Sequence, residues 1–184
     1  MTRIPSSPVP AGPRAVPVLA GFSFPVAVVA SELDADGRAR TLIEAGEVDE
    51  IFPFASVTKP IVAWSALVAV ERGLLDLEAP AGAGTAHSPA GAGTAHNPAG
   101  PALPGATVRH LLAHASGIAF DSDAVLAAPG TRRIYSNRGI ELLGERLEEA
   151  TATPLETWVE TTVLEPLGMS SVLVPGSPAH SGEG

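Results

Sequence analysis

A serine and a lysine stand three residues apart in Ser56-Val57-Thr58-Lys59, at the start of a stretch with helical patterning. On a helix, positions i and i+3 share a face, so the hydroxyl and the amine come close enough to exchange a proton. A serine hydroxyl attacks carbonyl carbon only once a base takes its proton. A lysine amine is such a base when burial or nearby positive charge lowers its pKa. A helix N-terminus adds partial positive charge beside the attacked carbonyl. Ser-x-x-Lys alone is a frequent chance pattern. Residue usage raises its weight, because Lys59 is the only lysine in the chain and the other basic residues are all Arg. Arginine keeps its proton at working pH, whereas a desolvated lysine can release it.

A second candidate is Tyr135-Ser136-Asn137, just after the Pro129-Gly130 turn; Tyr135 is the only tyrosine and Asn137 one of two asparagines. A Ser three before the lone Lys together with an Asn two after the lone Tyr has chance odds on the order of one in a thousand, before other acceptable motifs are counted. Other chemistries find less support. His110 and His114 have the spacing of a zinc-binding helix pair, but Leu111 stands where a general-base Glu would be. Gly21-Phe22-Ser23-Phe24 runs into Pro25, so it is no nucleophile elbow of the Gly-x-Ser-x-Gly type. There is no phosphate-binding glycine loop, and without cysteine there is neither a disulfide nor a thiolate metal site. No metal and no cofactor are expected.

The elements that must position these residues read as follows. The 184 residues suit a domain of ordinary size, and 45% apolar content supplies a core. A net charge of −9 spread without blocks argues against nucleic acid as a partner. Val16–Ala30 is broken by Pro17 and Pro25, too short to span a bilayer, and reads as a strand over Phe24–Ser31 rather than a secretory leader, so a cytoplasmic location is expected. Residues 1–17 are expected to be disordered. A strand Val26–Ser31, the turn Asp34-Ala35-Asp36-Gly37 and an extended Ala39–Ala45 make a hairpin. The helix from Ser56 to about Arg72, stopped by Gly73, is apolar almost all round (Ile61, Val62, Trp64, Leu67, Val68, Val70) and is expected to be buried. Residues 81–98 repeat AGAGTAHSP as AGAGTAHNP, which predicts a flexible insertion over 81–100 and makes His87 and His96 recur without chemistry. Thr107 caps a helix Val108–His114, Gly139 to about Glu149 is amphipathic, and Thr153-Pro154-Leu155-Glu156 has a capping-box pattern opening a helix that ends before Pro166. Residues 176–184 read as a loose tail.

Four stretches resemble the β-lactamase and penicillin-binding-protein superfamily of serine hydrolases, in that family's order. FPFASVTKP is similar to its nucleophile-helix entry, ATVRHLLAHASGI to its helix-turn segment ending in His-x-Ser-Gly, PGTRRIYSNRGIELLGERLEE to its Tyr-x-Asn loop and following helix, and EPLGMSS to a later turn. Tyrosine in the second motif points to the branch holding class C β-lactamases, D-aminopeptidases and related esterases. The resemblance implies an α+β, β-lactamase/transpeptidase-like fold: an antiparallel sheet packed with helices, plus a helical subdomain, over residues 18–175. It implies that Ser56 becomes acylated, that Lys59 helps remove its proton, that Tyr135 relays protons, that Asn137 holds the substrate amide or the Lys59 amine, and that the Ser56 N–H is one oxyanion donor. The substrate would be a small molecule or peptide carrying an ester, amide or β-lactam carbonyl; the oligomeric state is left open. The family's third motif, Lys-Thr-Gly or His-x-Gly on a sheet strand, has no match after Asn137, His180-Ser181-Gly182 lying too early. The C-terminal strands are therefore expected to be missing and the hairpin to be nearly isolated. A catalytically impaired remnant or a non-catalytic binding module of the same fold is the competing expectation.

Overall fold

The computed structural model of the chain describes residues 16–82 and 103–169. They belong to two compact units, one ending at Pro53 and one beginning at Phe54. The repeat from residue 83 onward, the first fifteen residues and the tail, including His180-Ser181-Gly182, lie outside the described residues.

In the first unit a 3-10 turn, Pro17–Gly21, precedes the antiparallel hairpin of β1 (Ala27–Leu33) and β2 (Ala39–Gly46). The turn forms as its composition demands: the Asp34 carboxylate accepts the N–H groups of Asp36 (2.9 Å) and Arg38 (2.8 Å), and Gly37 takes φ 77°. β1 runs two residues beyond the predicted Ser31, and the pairing shifts between Ala30 and Ser31, a bulge in the ladder. Gly46 closes the hairpin at φ 85°, where a Cβ would sit 2.1 Å from the Val26 carbonyl oxygen. Most hairpin residues are exposed on both faces.

The second unit is helical. α1 (Thr58–Glu71) packs on α3 (Asn137–Thr151), with α2 (Val108–Leu112) and α4 (Leu155–Val159) completing the core. α3 is amphipathic as predicted, and Leu142, Leu143 and Leu147 are fully buried. Each such side chain contributes about 1.5–3 kcal/mol of apolar burial. Gly144 lets α4 lie close, since a Cβ there would stand 2.8 Å from Leu155 Cδ2. α1 departs from expectation. Its buried stripe consists of Val62, Ser65, Ala66 and Ala69, while Trp64 and Leu67 are 59% and 50% exposed. Small residues allow the close approach of α3 and of Trp158, whose indole Nε1 donates to the Ser65 carbonyl at 3.1 Å. An all-round apolar helix does not specify which face is used, and here the small residues take the core.

The α4 entry also differs. Pro154 is the N-cap residue and Thr153 makes no cap; its hydroxyl donates to the Thr151 carbonyl at 3.1 Å, and the Leu155 N–H is taken instead by the Glu148 carboxylate of α3 at 2.9 Å. A tertiary partner has replaced the local one. Beyond α4 the chain opens into a π-helical turn, Glu160–Leu164. The hydroxyls of Thr161 and Thr162 donate to the carbonyls of Thr157 (2.8 Å) and Trp158 (2.6 Å) there, competing with the backbone ladder. No helix among the described residues is long and apolar enough to cross a membrane.

Candidate active site

Ser56 lies in a 3-10 turn, Ala55–Val57, that runs directly into α1. The turn is entered through Ala55 at φ 46°, and the Val57 N–H closes on the Phe54 carbonyl at 2.8 Å. A left-handed alanine is a strained position, of the kind found where a loop must present a side chain. Pro60, the third residue of α1, sits where an N–H is not needed by the helix. The consequence is the contact that the spacing predicted: Lys59 Nζ donates to Ser56 Oγ at 3.1 Å. Ser56 is exposed and Lys59 half-buried.

Tyr135 comes from the loop before α3 and faces this pair. The Lys59 ammonium lies 4.8 Å from its ring centroid. Its hydroxyl is within the influence of the side chains of Ser56 and Lys59. The polar groups of Ser56, first, and of Lys59 hold the phenol below its ordinary pKa, with the charges of Lys59 and Arg133 acting the same way against a smaller opposing effect of burial. Tyr135 is 42% exposed. His114 stands beside it with ring centroids 4.7 Å apart, and Phe120 stacks at 6.1 Å.

Ser136 and Asn137 start α3. Ser136 is the N-cap, buried to 1% exposure, with Oγ accepting from the Gly139 N–H at 2.8 Å and donating to the Ala119 carbonyl at 2.6 Å. The Asn137 N–H reaches the Phe120 carbonyl at 2.9 Å, and its side-chain Nδ2 donates to Asp121 Oδ1 at 2.7 Å. That bond orients the amide and leaves Oδ1 as the acceptor end. Beneath lies Arg138, nearly buried, paired with Asp123 (2.6 Å), Glu145 (2.9 Å) and Glu141 (3.3 Å). Burial opposes its charge, but the bonds to Asp123 and Glu145 outweigh that and hold it more firmly protonated than usual.

Ser56, Lys59 and Tyr135 are thus brought together, with Asn137 two residues on at the head of α3. Phe120, Asp121 and His114 were not singled out for this position. His114 alone had a usable signal, as the first residue of the His-x-Ser-Gly stretch; nothing in the spacing of Phe120 or Asp121 marks them. His110, the other half of the helix pair, is occupied in capping α2, its Nδ1 lying 3.1 Å from the Thr107 N–H. Among the described residues no three His, Asp or Glu side chains cluster as a metal site would require.

A helix-borne Ser-x-x-Lys turn faced by a Tyr-x-Asn loop defines a β-lactamase/transpeptidase-like α+β fold, and residues 30–181 match the family described as Beta-lactamase. The chain belongs to that family. It is 40% identical to a structurally characterised β-lactamase of Mycobacterium bovis, with a TM-score of 0.66, over 89% of this chain and 52% of that one. It is 33% identical to Esterase EstB of Burkholderia gladioli over 66% of this chain and 38% of the esterase. A β-lactamase/D-alanine carboxypeptidase of Yersinia pestis shares the fold at a TM-score of 0.60 and 18% identity, over 83% of this chain and 50% of that one. The chain therefore spans from over a third to about half of the length of these relatives.

Proposed function

We propose that the protein is a serine hydrolase working through an acyl-enzyme on Ser56, with an ester, amide or β-lactam carbonyl as substrate. The observation that carries this is the convergence of the lone lysine and the lone tyrosine on Ser56. Ser56 Oγ accepts from Lys59 Nζ at 3.1 Å, and the ring of Tyr135 lies 4.8 Å from that same ammonium, with the phenol held below its ordinary pKa by Ser56 first and then Lys59. In this scheme Tyr135 enters as the phenolate and is the proton acceptor, with the Lys59 side chain beside it.

In the first step Ser56 Oγ bonds to the carbonyl carbon while its proton passes to Tyr135 Oη. The Ser56 N–H, at the start of the helical run, donates to the developing oxyanion. As the tetrahedral species collapses, the bond to the leaving group breaks and Tyr135 returns the proton to it. Water then repeats the sequence: its proton goes to Tyr135, its oxygen attacks the ester carbonyl, and the proton returns to Ser56 Oγ. Asn137 Oδ1, the acceptor end of an amide whose Nδ2 is taken by Asp121, accepts an N–H from an amide-bearing substrate. The names of the relatives, an esterase and β-lactamases, support carbonyl substrates of this kind.

Intact-mass analysis after incubation with a fluorophosphonate and, separately, a penicillin tests the reading, with Ser56→Ala as control. An adduct of one reagent equivalent that disappears in the control is the expected result. No adduct from either reagent, on protein folded by circular dichroism, refutes it in favour of a non-catalytic module of the same fold.

A further inference from the structure

We propose that His114 is the positioning residue for Tyr135, a clamp that holds the phenol against Ser56 and Lys59. This rests on the role given to Tyr135 above. His114 grips the chain on both sides of the tyrosine. Its carbonyl accepts the Ile134 N–H at 2.7 Å, and its ring Nδ1 accepts the Ser136 N–H at 3.2 Å. Between those anchors its ring packs on the Tyr135 ring, at 4.7 Å and a tilt of 41°. Phe120 closes the other side, stacked at 6.1 Å and tied by its carbonyl to the N–H groups of Asn137 and Arg138. Tyr135 is thus the middle residue of a three-residue span whose flanking amides end on one histidine.

Two further features fit this work. His114 is at φ 54°, which non-glycine residues rarely adopt and which persists only where surrounding contacts impose it. The Ser136 N–H requires Nδ1 to be unprotonated, placing the proton of a neutral ring on Nε2. Burial, then Arg133 and Lys59, oppose protonation of this imidazole, so the acceptor is preserved. The charged and titratable groups acting on Tyr135 itself are Lys59 and Arg133, and its other side-chain partners are Ser56, His114 and Phe120.

The chain provides its own reporter, because Tyr135 is the only tyrosine and its phenolate absorbance can be titrated without overlap from another. Two variants separate the parts of the clamp. His114→Asn tolerates a positive φ and keeps an acceptor near the place of Nδ1 but removes the ring. His114→Phe keeps a ring and removes the acceptor. In each, the Tyr135 titration midpoint is expected to rise toward that of an ordinary phenol, and Ser56 labelling by a fluorophosphonate to slow about tenfold or more, as a displaced reacting group would cause. A variant of lowered stability whose Tyr135 midpoint is unmoved overturns the proposal and leaves His114 a purely structural residue. So does labelling within twofold of the unaltered chain. In the unaltered protein, long-range 1H–15N spectra read the tautomer directly, and a proton on His114 Nδ1 overturns the clamp whether or not the variants fold. If the unaltered chain shows no Ser56 adduct, the hydrolase reading fails, while the Tyr135 titration still decides the clamp.

Discussion

Replacing Gly117 with alanine should destabilise the helical unit by about 3–4 kcal/mol, and the structure says where that comes from. Gly117 has φ 88°, and a Cβ placed there would stand 1.9 Å from the Ala127 carbonyl oxygen and 2.9 Å from its carbon. The left-handed conformation alone costs an L-residue about 1–2 kcal/mol. The clash is with backbone, so no rotamer relieves it and the segment around Ala127 must move. That motion strains the bonds from the Leu126 N–H to the Gly117 carbonyl and from the Ala119 N–H to the Ala124 carbonyl, both 2.8 Å, worth about 1 kcal/mol each. Against a typical total of about 5–15 kcal/mol this is a large loss. Gly73→Ala is the matched control: φ 70°, with no atom within 4 Å of the new Cβ, so only the conformational cost of about 1–2 kcal/mol applies. Urea unfolding followed by the fluorescence of Trp64 and Trp158, both in this unit, measures the two variants side by side. A difference between them below about 1 kcal/mol refutes the reasoning, because both share the positive φ and only Gly117 has the carbonyl behind it. Ser56 labelling should fall as well, since the segment that starts at Gly117 supplies the Phe120 carbonyl at the foot of the Tyr135 loop.

Lys59→Met removes the donor to Ser56 and the cation beside Tyr135, so fluorophosphonate labelling should drop by about 10²–10⁴-fold and the Tyr135 phenolate midpoint should rise; labelling at the original rate denies the lysine any part in the chemistry. Ser136→Ala removes the N-cap of α3 and a buried partner of the Ala119 carbonyl, costing about 1–2 kcal/mol in urea unfolding, with loss of less than about half that pointing to a cap supplied by water. His114 binds its proton less readily in the fold than at the ordinary 6.5, so the unfolded chain takes up more protons just below that pH. Its contribution to stability is therefore complete above pH 6.5 and is lost as pH falls through the lower folded-state value. Thermal midpoints between pH 7 and pH 5 should show this decline in the unaltered chain and a weaker one in His114→Asn.

The local arrangements were readable from sequence because short-range geometry decides them. Ser56 and Lys59 meet because a helical turn puts every third residue on one side, and the Asp34–Gly37 hairpin turn needs only the side chain of Asp34 and a glycine. The amphipathic stripe of α3 is likewise a matter of period. The residue types at the site were legible too, since a lone lysine and a lone tyrosine stand out against the rest of the composition. What the period could not choose was a direction around α1, where every face is apolar and the short side chains of Ser65, Ala66 and Ala69 won the interior by letting α3 and Trp158 come close. Nor could it show that Glu148 of α3 would displace Thr153 as the partner of the first amide of α4. The distance between Tyr135 and the Ser56–Lys59 pair, the stacking of Phe120, the grip of Asp121 on Asn137 and the clamp of His114 all join residues far apart along the chain. Such contacts exist only once α1, α2 and α3 share one core, because their geometry is set by packing between elements and by no property of the segments that carry them.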